Sequence, residues 1–212
     1  IGEAASRQFG LPKGCVVATG LHDQPAGMLG AAVRAGESMY ATGTVVCLGV
    51  RIGRKPDPDV MLRGNLCYYP TYGEGNYVSL AFNFTGGSLL KWYRDTLGPD
   101  QVAEANRRGI DPYDLILADI PAEQPSLLVL PHFTTTGTPW MDPNALGAVI
   151  GLRLTTTRPE IVKAILEGVT YEIKLNVSLL AEAGIDIQLF KAIGGAAKSD
   201  RWMQIKADIL GR

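Results

Sequence analysis

The stretch from about 158 to 183 constrains the fold more than any other part of the chain. Val162, Ile165, Leu166, Val169, Ile173, Val177 and Leu180 recur three and four residues apart, which puts them on one stripe of an α-helix. Thr157-Arg158-Pro159-Glu160 fits a capping box, with Glu160 able to reach back to the cap, and Gly184 supplies the stop. Apolar strands flank this helix. Leu127 to Pro131 precedes it, and Phe190 to Ile193 follows it, ending at Gly194-Gly195 and feeding a last helix from about Ser199 to Leu210.

The first half reads as β-rich. Residues 2–9 close a helix stopped by Gly10 and Pro12. Cys15 to Ala18 is a short apolar strand that runs into the turn Gly20 to Pro25 and a helix of small residues. Glu37 to Tyr40 and Val45 to Arg51 are strands joined at Ala41-Thr42-Gly43-Thr44, and Arg54 to Asp59 is a charged loop. Leu66 to Tyr72 and Tyr77 to Phe82 form a hairpin turned by Gly73-Glu74-Gly75. Thr85-Gly86-Gly87-Ser88 opens a helix to about Leu97, and 100–108 is a short helix. Strands followed by alternating strands and helices predict an α/β fold with a mixed sheet.

Composition excludes several classes. A formal net charge of -1 offers no basic face for nucleic acid or an anionic membrane. No apolar run approaches the ~20 residues that cross a bilayer, and the first ten residues lack the apolar core of a signal peptide. Cys15, Cys47 and Cys67 are widely spaced in apolar stretches and read as buried free thiols. A cytoplasmic protein is expected.

Three glycine turns share one design, a bare backbone at the end of a strand: Gly43-Thr44, Gly86-Gly87-Ser88 and Gly194-Gly195. Glycine admits close approach of a ligand, and helix N-termini offer N–H groups to anions. None matches the Walker A or dinucleotide fingerprints. Asp23 lies in a turn after a strand, where α/β proteins carry their chemistry. It reads either as a carboxylate that takes a proton from an attacking hydroxyl or as a cap for the helix that follows. Trp92 and Trp202 sit at helix packing positions and are expected in the core, whereas Trp140 falls in the polar loop Thr134 to Asn144.

Taken together, these segments resemble the FGGY carbohydrate kinases. Thr19-Gly20-Leu21-His22-Asp23-Gln24-Pro25-Ala26-Gly27 looks like the segment that carries the family's general base. Ala41-Thr42-Gly43-Thr44 resembles its phosphate-binding turn, and Phe84 to Asp95 its helix-opening segment near the nucleotide. Leu166-Glu167-Gly168-Val169 also fits. The run from Ala192-Ile193-Gly194-Gly195-Ala196 to Ala207-Asp208 resembles the C-terminal signature at the adenosine pocket, with Ala196 where many members have a third glycine.

The resemblance implies an actin-like ATPase (ribonuclease H-like) fold, in which two related domains close over a cleft. Residues 1–18 would be the tail of the N-terminal domain, and 19–212 the C-terminal kinase domain, cut short at its end. Asp23 would be the base and Gln24 would help hold the sugar. Gly43 and Thr44 would meet the terminal phosphates. Gly87, Lys91, Gly195 and Ser199 would contact the nucleotide, and Mg2+ would accompany ATP mainly through water, with no protein metal site. The substrate would be a ketose or polyol, and a homodimer is allowed, with no interface marked in the sequence. Both ends read as cuts through a longer protein: Ile1 opens inside a helix and Gly211-Arg212 follows one directly. The family's N-terminal phosphate-gripping module is missing, so the piece alone is expected to have no useful kinase activity. Two other readings reuse the fold, a sugar or nucleotide sensor and an actin-like chaperone or filament protein. A sensor needs no base, and the others lack the Gly194 to Asp208 segment in this form.

Overall fold

The computed structural model of the chain describes residues 1–18 and 20–212; Thr19, which opens the segment carrying Asp23, lies outside the described residues. Five strands form a mixed sheet in the order β3-β4-β2-β1-β7. They are β1 (Glu37–Thr42), β2 (Val46–Ile52), β3 (Cys67–Pro70), β4 (Tyr77–Asn83) and β7 (Leu189–Ile193). The first four pair antiparallel, and β7 joins β1 in parallel, with Tyr40 opposite Ala192. A two-stranded ribbon, β5 (Leu128–Leu130) with β6 (Ala148–Ile150), stands beside it.

Both faces of the sheet are covered, which is why β2 is buried along most of its length rather than in alternation. Tyr40, Val46, Leu48, Val50 and Ala81 face the main core. There they meet the long helix α7 (Arg158–Glu182) through Ile165, Val169 and Ile173. The backbone N–H of Thr157 donates to Glu160 Oε2 at 2.7 Å, the reach-back expected from the capping box. Helices α4 (Gly87–Thr96), α5 (Pro99–Arg108), α6 (Pro112–Ala118) and α8 (Asp200–Leu210) extend the same layer. On the other face, α2 (Asp23–Gly30) packs Met28 against Met39 and Val78. A Cβ on Gly49 would come within 2.7 Å of Met28 Sδ, so the Met28 side chain rests directly on the bare backbone there.

Some expectations need correction. Cys15 to Ala18 forms no strand, and Val16 and Val17 are 84% and 75% exposed, because nothing in the described sheet offers this segment an edge. The preceding helix α1 (Glu3–Phe9) buries no residue. The cysteines are all free, but only Cys47 is buried: Cys15 is half-buried and Cys67 exposed. Trp202 is in the core at 4% exposure, while Trp92 is 36% exposed and rests edge-on against Phe133. The charged loop ends in α3 (Pro58–Arg63), not foreseen, and α6 and β6 were likewise not foreseen. Both missed helices begin with the same pair, Asp57-Pro58 and Asp111-Pro112. Each aspartate caps its helix, Asp57 Oδ1 accepting from Asp59 N–H and Asp111 Oδ1 from Tyr113 N–H.

Candidate active site

The strand pairing brings the three glycine turns to one end of the sheet. β1 and β7 run parallel and both finish there, and the end of β4 pairs with the start of β2, Asn83 opposite Val46. The turns then lock together. Gly87 N–H donates to Gly43 O at 2.9 Å, while Gly86 N–H and Ser88 N–H donate to Thr44 O at 3.0 and 3.1 Å. Thr42 Oγ1 donates to Ile193 O at 2.8 Å, tying the first turn to the third. Asn83 and Thr85 anchor the second turn from behind: Thr85 N–H donates to Asn83 Oδ1, and the Thr85 hydroxyl shares its one proton between Asn83 Oδ1 and Pro131 O.

The glycines of these turns serve two different ends. A Cβ on Gly86 would fall 2.7 Å from Val46 Cγ2, and one on Gly87 2.9 Å from Gly43 O. Gly194 has φ of +96°, and its Cβ would fall 2.7 Å from Thr42 O. These three are glycine because the turns pack on each other. Gly195 has no atom within 4 Å of where its Cβ would be, and Gly43 has only an ordinary contact with Val45 O at 3.6 Å. Both lie bare at the surface of an open cleft.

That cleft has a volume of about 760 Å³ and is lined by Gly43, Thr44, Gly87, Lys91, Gly195 and Ser199, six of the eight residues singled out from sequence. Ser199 Oγ accepts from Trp202 N–H at 3.3 Å and so caps α8 at the cleft's margin. The Lys91 ammonium donates to Asp95 Oδ2 at 2.6 Å, one turn along α4. Arg94 takes the other carboxylate oxygen, and the two hydrogen bonds, Arg94 first, hold the Asp95 carboxyl down at about 2. Sequence reasoning missed the wall opposite α8, which is α6 with Asp111, Tyr113, Asp114 and Leu117. The Asp-Pro pair at 111–112 was the available signal.

Asp23 and Gln24 do not line the cleft. Asp23 is the first residue of α2 and its carboxylate accepts from Gln24 N–H at 2.7 Å, with His22 Nε2 at 3.1 Å. Its side chain is 77% exposed. The Cys47 thiol, on β2 one residue past Val46, is pushed up to about 12, by burial first and by the charge of Asp23 second. Asp23 therefore stands near the same end of the sheet as the turns, on the face opposite the main core.

A two-faced α/β sheet with interlocked glycine turns over an open cleft defines a class, a ligand-binding domain organised around the end of a mixed sheet. Comparison with known proteins narrows it. The profile for "FGGY family of carbohydrate kinases, C-terminal domain" matches residues 38–212. A xylulose kinase structure from Rhodospirillum rubrum is 30% identical with a TM-score of 0.81, over 100% of this chain and 41% of that one. The glycerol kinase of Lactococcus lactis is 33% identical over 178 residues, 82% of this chain and 33% of its own length. The xylulose kinase of Bacillus subtilis is 26% identical over 201 residues, 94% and 38%. The chain belongs to the FGGY family of carbohydrate kinases, carries its C-terminal domain and has the actin-like ATPase fold. It spans well under half the length of these relatives.

Proposed function

We propose that this chain is the nucleotide-binding part of an enzyme that moves the terminal phosphoryl group of ATP to a hydroxyl of a small ketose or polyol. The observation that carries the proposal is the convergence of Gly43, Thr44, Gly87, Lys91, Gly195 and Ser199 on one cleft. Gly195 and Gly43 leave room where side chains would stand, which suits the close approach of a nucleoside and its phosphates. Gly87 supports the site rather than donating to phosphate, since its N–H is already given to Gly43 O. Thr44, at the tip of the turn, is the residue to meet the terminal phosphate.

Asp23 would accept the proton of the attacking sugar hydroxyl, and Gln24 beside it would hold a neighbouring hydroxyl. Mg2+ neutralises charge on the phosphates when bound. The ion would arrive on the phosphates and water. Residues 1–18, which bury almost nothing, would belong to the preceding domain. The whole enzyme needs groups on both sides of the phosphate, so the 212-residue chain alone is expected to bind nucleotide and transfer little.

The test is sugar-stimulated ADP release over a panel of pentuloses, hexuloses and polyols. It uses a protein that carries this chain over the full length of its relatives, beside its Asp23→Asn variant. One stimulating sugar, lost in the variant while ADP still binds, supports the assignment. Nucleotide binding with no stimulation by any sugar would overturn it in favour of a sensor.

A further inference from the structure

The two walls of the cleft, α6 and the start of α8, are joined by the hydrogen bonds of one side chain. α6 packs on α4, α5 and α7, but its backbone barely approaches α8. Arg201, the second residue of α8, crosses the gap. Its Nη1 donates to Leu117 O at 3.1 Å and to Ala118 O, and lies 3.4 Å from Ile120 O.

The last carbonyls of a helix lack intrahelical donors, and a cation there is favoured by the helix dipole. The same dipole disfavours a cation in the first turn of α8, where Arg201 stands. Its place is therefore accounted for by what it reaches, not by its own helix. Arg201 also lines a second cavity of about 340 Å³, beside Ile120 and Ile205. Lys163 of α7 fastens the chain just downstream, donating to Ala122 O at 2.5 Å and Glu123 O at 2.7 Å. At the end of α6 the apolar side chains Ile116 and Ile120 reach the core, and Arg201 meets the last carbonyls.

We propose that Arg201 is a positioning residue: it straps α6 to the start of α8 and so sets the spacing of the cleft walls that receive the nucleoside. This rests on the nucleotide reading above. The strap acts through Asp114, Tyr113 and Leu117 on one wall and Ser199 and Trp202 on the other, all of which face the cleft.

The experiment uses the 212-residue chain with Arg201→Ala and Arg201→Lys variants. Amide hydrogen exchange is followed without nucleotide, and ADP binding is measured by calorimetry with magnesium present. In Arg201→Ala, exchange across 113–120 should quicken and the ADP Kd should rise, each about tenfold, with exchange in 164–176 of α7 unchanged. Arg201→Lys should recover part of both. Unchanged exchange in α6, or equal quickening in α6 and α7, overturns the strap. If α6 opens but ADP affinity holds, the strap exists and its role in the cleft is refuted. Absence of ADP binding by the unaltered chain overturns the nucleotide reading instead, and the exchange data then decide the strap alone.

Discussion

The glycine turns and the segment around Asp23 stand at the same end of one sheet, yet they are built differently. The turns are locked to each other by backbone hydrogen bonds and rest on buried Thr42, Asn83 and Thr85. Asp23 projects from the first turn of an eight-residue helix, mostly in solvent, and follows a segment whose apolar residues are largely exposed. The proposed nucleotide side is thus prepared by the fold before any ligand arrives. The proposed base is only placed, and its environment depends on what closes over it. This division suits phosphoryl transfer, where preorganised binding of phosphate matters throughout and the base must meet a second substrate.

The contrast is sharpest in Asp23→Asn. In the full-length enzyme the variant should lose about 10²- to 10⁴-fold in sugar-dependent ADP release. Its unfolding midpoint and ADP affinity should stay unchanged, because an exposed side chain is removed from the fold's margin. A drop in stability or nucleotide affinity would make Asp23 part of the framework and break the comparison.

The turns predict the opposite behaviour. Gly194→Ala forces a side chain into a positive φ and against Thr42 O. It should destabilise the chain by about 2 to 4 kcal/mol in urea unfolding. A neutral outcome would mean that the third turn can shift away from β1, and that the lock is looser than its geometry.

The two regions also differed in how readily they could be read. The turns were legible because glycine at a strand end is a local signal, and three of them recur in order. That the N–H groups of Gly86, Gly87 and Ser88 are consumed by the Gly43-Thr44 turn was not legible, since it depends on pairing between segments some forty residues apart. The strand read at Cys15 to Ala18 shows the converse. Its apolar run satisfies the local rule, but a strand needs a neighbour, and the described sheet supplies none. Trp202 was placed in the core correctly, but that its helix also walls the cleft follows only from the meeting of α8 with α6.

A buried lysine in the packed core offers a third test. Lys206 is 3% exposed, its ammonium has no hydrogen-bond partner among the described residues, and it lies 3.7 Å over the Tyr40 ring and 5.3 Å from that of Trp202. Burial draws it down to about 7. The unfolded chain then binds more protons than the folded one between pH 7 and the ordinary lysine range. Stability should rise with pH across that window, and the penalty is complete only below pH 7. From pH 7 to 8.5 the gain should be about 1 to 2 kcal/mol. Lys206→Met should abolish this slope and be the more stable at pH 7. A slope that survives the substitution would assign it to other groups.

The smallest expected effect separates framework from ligand contact within a single turn. Gly195 adjoins Gly194, but a Cβ there meets nothing within 4 Å and its φ is not in the left-handed region. Gly195→Ala should therefore leave the unfolding midpoint within about 0.5 kcal/mol of the parent. The added methyl would project where the nucleoside is proposed to lie, so the ADP Kd should rise about tenfold, equivalent to ~1.4 kcal/mol. The neighbouring substitutions then differ in kind: one damages the fold, and the other only the ligand's seat. If Gly195→Ala leaves ADP affinity untouched, the bare backbone is not where the nucleoside rests, and the cleft's occupant must lie nearer Gly43 and Thr44.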